Sequence, residues 1–357
     1  MRVLVGWADD SSPNLGVRAL GQGSRDLLSQ VWPDAEFVYM NYGSRPSAVP
    51  WRPRSLIKER FLGRSGMMDW LSTFDVLWDT RSGDSFADIY GMRRHWTMSL
   101  IHEFAAQAGV VTVIAPQTIG PFHSRVARVM ARRNLKRSSL VFARDAQSAA
   151  AAAQLGRPVD LTATDMVFGL RQPERLAERD VLLNVSGLLW QPNNHVDYES
   201  YRRAIRMVIT ELIGQGREVT LLPHVLDSPD HDNDVPIANA LHEEFGGTLD
   251  VYFPDTLDDA RSVIASSQVV IGARMHACLN ALSTGTPAVA MAYSRKFAPL
   301  LGAIGWNHVV SLSSESDIGA ATLDALGDGT LAAQARATQK RGQDLLAKMI
   351  PAITGLA

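Results

Sequence analysis

The 357-residue chain has one cysteine, Cys278. A lone thiol cannot close an internal disulfide, so the sequence reads as a protein of a reducing compartment whose core must hold it together. No Cys/His cluster stands at metal-ligand spacing. The densest acidic run, Asp227 to Asp234, lacks the closing Glu of a calcium loop and reads as solvated. No metal and no cofactor are expected. No apolar run approaches the roughly eighteen residues that span a bilayer. The opening Met1 to Gly6 is too short for a signal-peptide core and reads as a strand. Charge of one sign is also missing: 35 Lys and Arg stand against 37 Asp and Glu, for a net charge of −2. That balance excludes nucleic acid as an obvious partner. Internal repeats and low-complexity tracts are absent, apart from the alanine-rich helix 149–153. These absences describe a cytoplasmic protein.

What is present is an apolar content of 46%, enough for two cored domains. Short apolar runs bounded by turn residues recur along the chain and read as buried parallel strands: 2–8, 36–42, 74–79, 110–116 and 140–143. A second series follows at 181–186, 218–222, 251–253, 269–271, 288–291 and 308–312. Helical patterns fill several of the gaps, at 17–32, 124–137, 198–214, 257–266 and 277–283. The charged segment 171–179, with Pro173, reads as a linker. The expected architecture is α/β: an N-terminal Rossmann-like domain (1–170) and a C-terminal one with terminal helices (180–357), both doubly wound and facing across a cleft.

The chain is organised around Ser266 to Lys296. Val269, Val270 and Ile271 form a strand, Gly272 ends it, and a helix opens at about Ala277. Arg274 and His276 therefore sit where strand gives way to helix, at the sheet edge where open α/β folds bind ligands. An Arg fork suits a phosphate or carboxylate, and an imidazole suits proton transfer near neutral pH. The plainer reading is an Arg paired with a local carboxylate and a His capping a helix.

The run Gly272-Ala273-Arg274-Met275-His276-Ala277, with Gly285-Thr286-Pro287 and Tyr293 to Lys296 behind it, resembles the polysaccharide pyruvyl transferase family. So does Gln117-Thr118-Ile119-Gly120-Pro121-Phe122, followed by His123. Weaker resemblances are Ala143-Arg144-Asp145, Asp165 to Phe168, Pro223-His224, Gly83-Asp84 with Asp88, and Asn14-Leu15-Gly16. After that last step the family usually carries an acidic residue, where this chain has Val17; Asp9 or Asp10 is the expected substitute. The resemblance covers most of the chain and implies a glycosyltransferase-B-like pair of domains. It also implies an enzyme that moves the enolpyruvyl group of phosphoenolpyruvate onto two hydroxyls of a sugar, in a polysaccharide or a lipid-linked cell-envelope precursor, as a cyclic ketal.

On that reading His276 and His123 are the expected acid and base. Arg274 and Arg144 would clamp the phosphate and carboxylate of the donor. His224, Asn14, Asp84, Asp88 and Lys296 are expected at the substrate; for Asp84 and Asp88 the competing role is helix capping. The runner-up is a nucleotide-sugar glycosyltransferase with Arg274 on the diphosphate; against it, no Glu stands in a second-domain loop to hold a ribose, Glu243 or Glu244 being the arguable exceptions. A non-catalytic glycan-binding protein is the third reading. Basic segments 45–64 and 124–137 carry interleaved apolar residues. A solvated face is their plainer reading, and contact with the inner face of a membrane the alternative.

Overall fold

The computed structural model describes residues 1–42, 49–51, 53–63, 66–226 and 232–356. Arg45, Arg52 and Arg64 of the first basic segment, and Asp227 to His231 of the acidic run, lie outside the described residues. The chain divides into two compact units, one of residues 1–12, 20–170 and 344–357 and the other of residues 13–19 and 171–343. The expectation of two contiguous domains therefore needs two amendments. Residues 344–357 belong with the first unit, where Leu346, Met349 and Ile353 are buried. Residues 13–19 belong with the second.

In the first unit six parallel strands are β1 (Arg2–Gly6), β2 (Glu36–Met40), β3 (Val76–Asp79), β4 (Val111–Ile114), β5 (Leu140–Ala143) and β6 (Leu161–Thr162), in the order β2-β1-β3-β4-β5-β6. Their helices are α1 (Leu15–Leu28), α2 (Pro53–Leu62), α3 (Met67–Leu71), α4 (Met92–Gln107), α5 (Arg125–Arg137) and α6 (Ala146–Gln154). Within the first basic segment residues 53–62 form α2, opened by Pro53 at a position where its missing N–H costs nothing.

The second unit repeats the plan with β7 (Arg179–Asn184), β8 (Val219–Leu221), β9 (Asp250–Val251), β10 (Ser267–Gly272), β11 (Ala288–Ala292) and β12 (Val309–Ser311), in the order β12-β11-β10-β7-β8-β9. Helices α7 (Gly187–Trp190), α8 (Tyr198–Gly214), α9 (Val235–Glu244), α10 (Leu257–Ala265), α11 (Met275–Thr284), α12 (Phe297–Ala303), α13 (Ile318–Leu326) and α14 (Leu331–Ala347) follow in chain order, and α15 (Ile350–Thr354) belongs to the first unit. Every pairing between these strands, among the described residues, is parallel. Both sheets are thus doubly wound. The order reverses between β1 and β3 in one and between β7 and β10 in the other. At such reversals the connecting loops part and leave a crevice beyond the strand ends.

Candidate functional site

Asn184 ends β7 and Arg274 follows β10, so the two flank the strand-order reversal of the second sheet. The Asn184 side-chain oxygen accepts the Arg274 backbone N–H at 3.0 Å, which fixes the turn from β10 into α11. The Arg274 guanidinium lies over Asp234, with Nε and Nη2 at 3.2 and 2.6 Å from Oδ1. Its Nη1 meets Asp232 Oδ1 at 2.5 Å and Nη2 the Asp232 carbonyl at 2.9 Å. Burial alone would disfavour the guanidinium charge, but Asp234 and Asp232 reverse that and raise its pKa above the usual arginine value.

Asp234 is the hub. It accepts N–H groups from Gly187, His224 and Val225 as well as the Arg274 pair. The solvated reading of the acidic run therefore fails at Asp234, whose side chain is fully buried. Chain segments from β7, β8 and β10 converge on it, and sequence spacing carries no trace of that convergence. Asp232 keeps 39% of its side chain exposed, so the two carboxylates on Arg274 are unequal partners.

His224, just past β8, is buried. Its Nε2 faces Asn280 Nδ2 at 3.1 Å, and Asn280 Oδ1 accepts from Arg261 Nη1 at 2.9 Å. Nδ1 of His224 is buried without a hydrogen-bond partner among the described residues. Burial, then the neighbouring His276, pulls the His224 pKa down to about 3, with Arg274 acting the same way and Asp234 opposing. At neutral pH it is an uncharged imidazole with one N–H to give. Asn280 and Arg261 were not legible as site residues, although Asn280 stands four residues, one helical turn, after His276.

His276 lies in the first turn of α11, half-buried, with its carbonyl accepting from Asn280 Nδ2 at 2.8 Å. Its ring rests on Gly16: a Cβ there would stand 2.6 Å from His276 Nδ1 and 2.8 Å from Cγ. The loop before α1 is thus a wall of this site. Leu15 N–H donates to the His224 carbonyl and Leu226 N–H to the Pro13 carbonyl. Asn14 acts there as a cap, its side-chain oxygen accepting Gly16 N–H at 2.9 Å and its carbonyl the N–H groups of Val17 and Arg18. The first-turn amides of α1 are therefore already engaged. Asp9, one of the two expected stand-ins for the missing acidic residue, accepts from Ser12 N–H and Asn41 Nδ2.

Lys296 precedes α12 beyond the end of β11, at this same sheet edge. Glu244 is bound by Arg206 at 2.5 and 2.9 Å. It ends α9, which starts beside Asp234 and runs back to the other sheet edge, so neither it nor Glu243 is placed to hold a ribose at the Arg274 crevice. Cys278 is buried behind Gly272, its thiol pushed up to about 12 by burial, as suits a packing residue.

In the first unit Arg144 follows β5, buried to 1% exposure. Its Nε donates to Thr118 Oγ1 and its Nη1 to Asp165 Oδ2, both at 2.9 Å, whereas Nη2 has no partner among the described residues. Gly83 lies over it: a Cβ at this positive-φ glycine would sit 3.3 Å from Nη1. His123 is exposed, its Nδ1 3.1 Å from Asp88 Oδ1. Asp88 also accepts the N–H groups of His123 and Ser124 and so fixes the entry to α5. Those contacts hold its pKa below the usual carboxylate value although burial opposes this. Asp84 accepts from the Tyr90 hydroxyl at 2.7 Å.

The model of the family described as polysaccharide pyruvyl transferase matches residues 14–295. That span includes Asn14, Arg144, His224, Arg274 and His276. No curated protein matches the chain by sequence. Among solved structures the chain resembles MnaA of S. aureus, determined with UDP, at TM-score 0.61 and 10% identity over 98% of this chain and 94% of that one. It also resembles UDP-GlcNAc 2-epimerase from Neisseria meningitidis bound to UDP-GlcNAc, at 0.58 and 12% over 99% of each. HepE of Anabaena, in complex with UDP and glucose, gives 0.54 and 12% over 99% and 98%. At such identities the likeness concerns the fold, which is glycosyltransferase-B-like.

Proposed function

The chain belongs to the polysaccharide pyruvyl transferase family, and we propose that it transfers the three-carbon unit of phosphoenolpyruvate to two hydroxyls of a sugar acceptor. The observation that carries this reading is the grouping of Arg274, His276 and His224 at the strand-order reversal of the second sheet, inside the matched span. Phosphoenolpyruvate needs a cation for its anionic groups, a hydrogen-bond donor to orient it and a proton donor for its methylene carbon. Arg274, His224 and His276 supply these in turn.

The reaction balances without a cofactor. A proton reaches the methylene carbon and leaves C2 cation-like. One sugar hydroxyl adds to C2, phosphate departs, and the second hydroxyl closes the ketal. The two hydroxyl protons finish on the new methyl group and on phosphate. His224, its pKa pulled down to about 3 by burial, stays neutral at neutral pH and serves by donating from Nδ1. The proton traffic falls to His276, for which a positioned acid or base is worth roughly 10²–10⁴-fold. Because Arg274 is held by Asp232 and Asp234, the donor's anionic group reaches it by taking the place of the more exposed Asp232 carboxylate. Arg144, with its buried Nη2, is the first unit's candidate for an anion.

The test is product formation: phosphoenolpyruvate and a set of lipid-linked and free saccharides, with phosphate release and a mass gain on the saccharide as readouts. A gain of the pyruvate ketal supports the reading. Glycosyl transfer from a nucleotide sugar, with no use of phosphoenolpyruvate, rejects it.

A further inference from the structure

The exposed large hydrophobic side chains are not scattered evenly. Among the described residues twelve are exposed, and eight of them lie between residues 57 and 129: Ile57, Phe61, Leu62, Ile89, Tyr90, Met92, Val126 and Val129. These positions come from three neighbouring pieces of the first unit. Helix α4 packs against α2, α3 and α5, and right-handed crossovers set these helices in one layer on one face of the sheet. Asp88, at the turn carrying Ile89 and Tyr90, accepts the amides that lead into α5.

The same layer carries the chain's densest positive charge. Helix α5 holds Arg125, Arg128, Arg132, Arg133, Lys136 and Arg137 and no acidic residue, and all six are exposed. Helix α2 adds exposed Arg54, Lys58 and Arg60, while its one acid, Glu59, points inward. Arg133 and Arg137 share Glu103, but Lys58, Arg132 and Lys136 have no ion pair among the described residues. Exposed aliphatic and aromatic side chains interleaved with unpaired cations are the chemistry of a face lying in a lipid headgroup layer. Nine exposed cations on two helices, with Lys58 and Lys136 among them, exceed the charge that the core of a protein interface carries and match an anionic headgroup layer.

We propose that the helical layer formed by α2, the 89–92 turn and α5 docks on an anionic phospholipid bilayer. Phe61, Leu62, Val126 and Val129 enter the interface, and the cations meet the headgroups. No helix among the described residues is long and apolar enough to cross a membrane, so the attachment is peripheral and salt-sensitive.

Flotation of the full-length protein tests this, with vesicles of phosphatidylcholine mixed with phosphatidylglycerol against vesicles of phosphatidylcholine alone. Binding is expected only to the mixed vesicles and should weaken as salt is raised. A basic residue near an anionic surface is worth about 1 kcal/mol. The triple variant Lys58→Gln/Arg132→Gln/Lys136→Gln should therefore partition roughly a hundredfold less, and Phe61→Ser severalfold less, with unchanged melting. Failure of the wild type to float with mixed vesicles, or equal flotation of the triple variant, overturns the proposal. Self-association that Phe61→Ser abolishes, without vesicle binding, overturns it too and gives the face to a second copy of the chain.

Discussion

Asn280 presents its Nδ2 to His224 Nε2 at 3.1 Å, and that contact decides which ring nitrogen of His224 carries the proton. Arg261 has only donors, so the atom of Asn280 that it meets at 2.9 Å must be the oxygen. The amide nitrogen then faces His224, Nε2 accepts, and Nδ1 bears the hydrogen. Asn280→Asp offers two acceptors instead and should drive the proton to Nε2, or protonate the ring. Histidine ¹⁵N shifts report the tautomer directly. The wild type should show His224 as the Nδ1–H form and the variant should not. Turnover should fall roughly 10²–10³-fold, the value of one well-placed donor to developing charge. An Nε2–H wild type would contradict this account.

Gly16→Ala offers a separate check on His276. The new methyl group would stand 2.6 Å from Nδ1 of the imidazole, so the ring must move. Displacing a reacting group by about 1 Å can cost 10²-fold in rate. We expect a loss of that order in turnover, in a protein that still melts cooperatively. Unchanged turnover would remove His276 from the chemistry.

The pair of carboxylates on Arg274 separates stability from binding. Arg274→Ala strands the buried Asp234 charge and should cost about 3–5 kcal/mol with no substrate present. Thermal melting checks this, and the size of that loss makes the alanine variant a poor probe of substrate affinity. Asp232→Asn removes the exposed competitor only. It should leave melting nearly unchanged and tighten phosphoenolpyruvate severalfold in calorimetric titration. Weaker binding in this variant would mean that Asp232 serves the ligand rather than competing with it.

Much of this was legible in sequence, and what was not has identifiable causes. Strands such as Leu140–Ala143 read plainly because a strand buried on both faces is a continuous apolar run. Helix α4 did not read at all. It buries His95, Thr97, Ser99, His102 and Glu103, so the apolar stripe that marks a helix is broken by polar residues with partners elsewhere: His102, for example, meets Asp79 at 2.8 Å. Asp234 looked like one more solvated acid because its burial depends on three distant segments meeting. Arg274 and His276 stood out for the opposite reason, since a strand, a glycine and a helix start are all local.

Buried neutral histidines give a pH signature. Burial holds His224 near 3 and His95 near 4, each well below the 6.5 of an exposed imidazole. The unfolded chain therefore binds protons that the folded one refuses between these values. Stability is fully present above pH 6.5 and falls as pH drops toward 4. Urea melts across that range should show the decline, and His224→Gln should flatten part of it. A melt independent of pH over this window would contradict the burial of both rings.

The central claim is that the Arg274 site takes phosphoenolpyruvate. A thermal-shift titration of the wild type with phosphoenolpyruvate, beside uridine and guanosine diphosphates, tests it most directly. A ligand at 100 times its dissociation constant adds roughly 2.7 kcal/mol to stability, readily seen as a higher melting temperature. The account predicts a rise with phosphoenolpyruvate that is larger in Asp232→Asn and absent with either nucleotide. A rise with a nucleotide and none with phosphoenolpyruvate would contradict it.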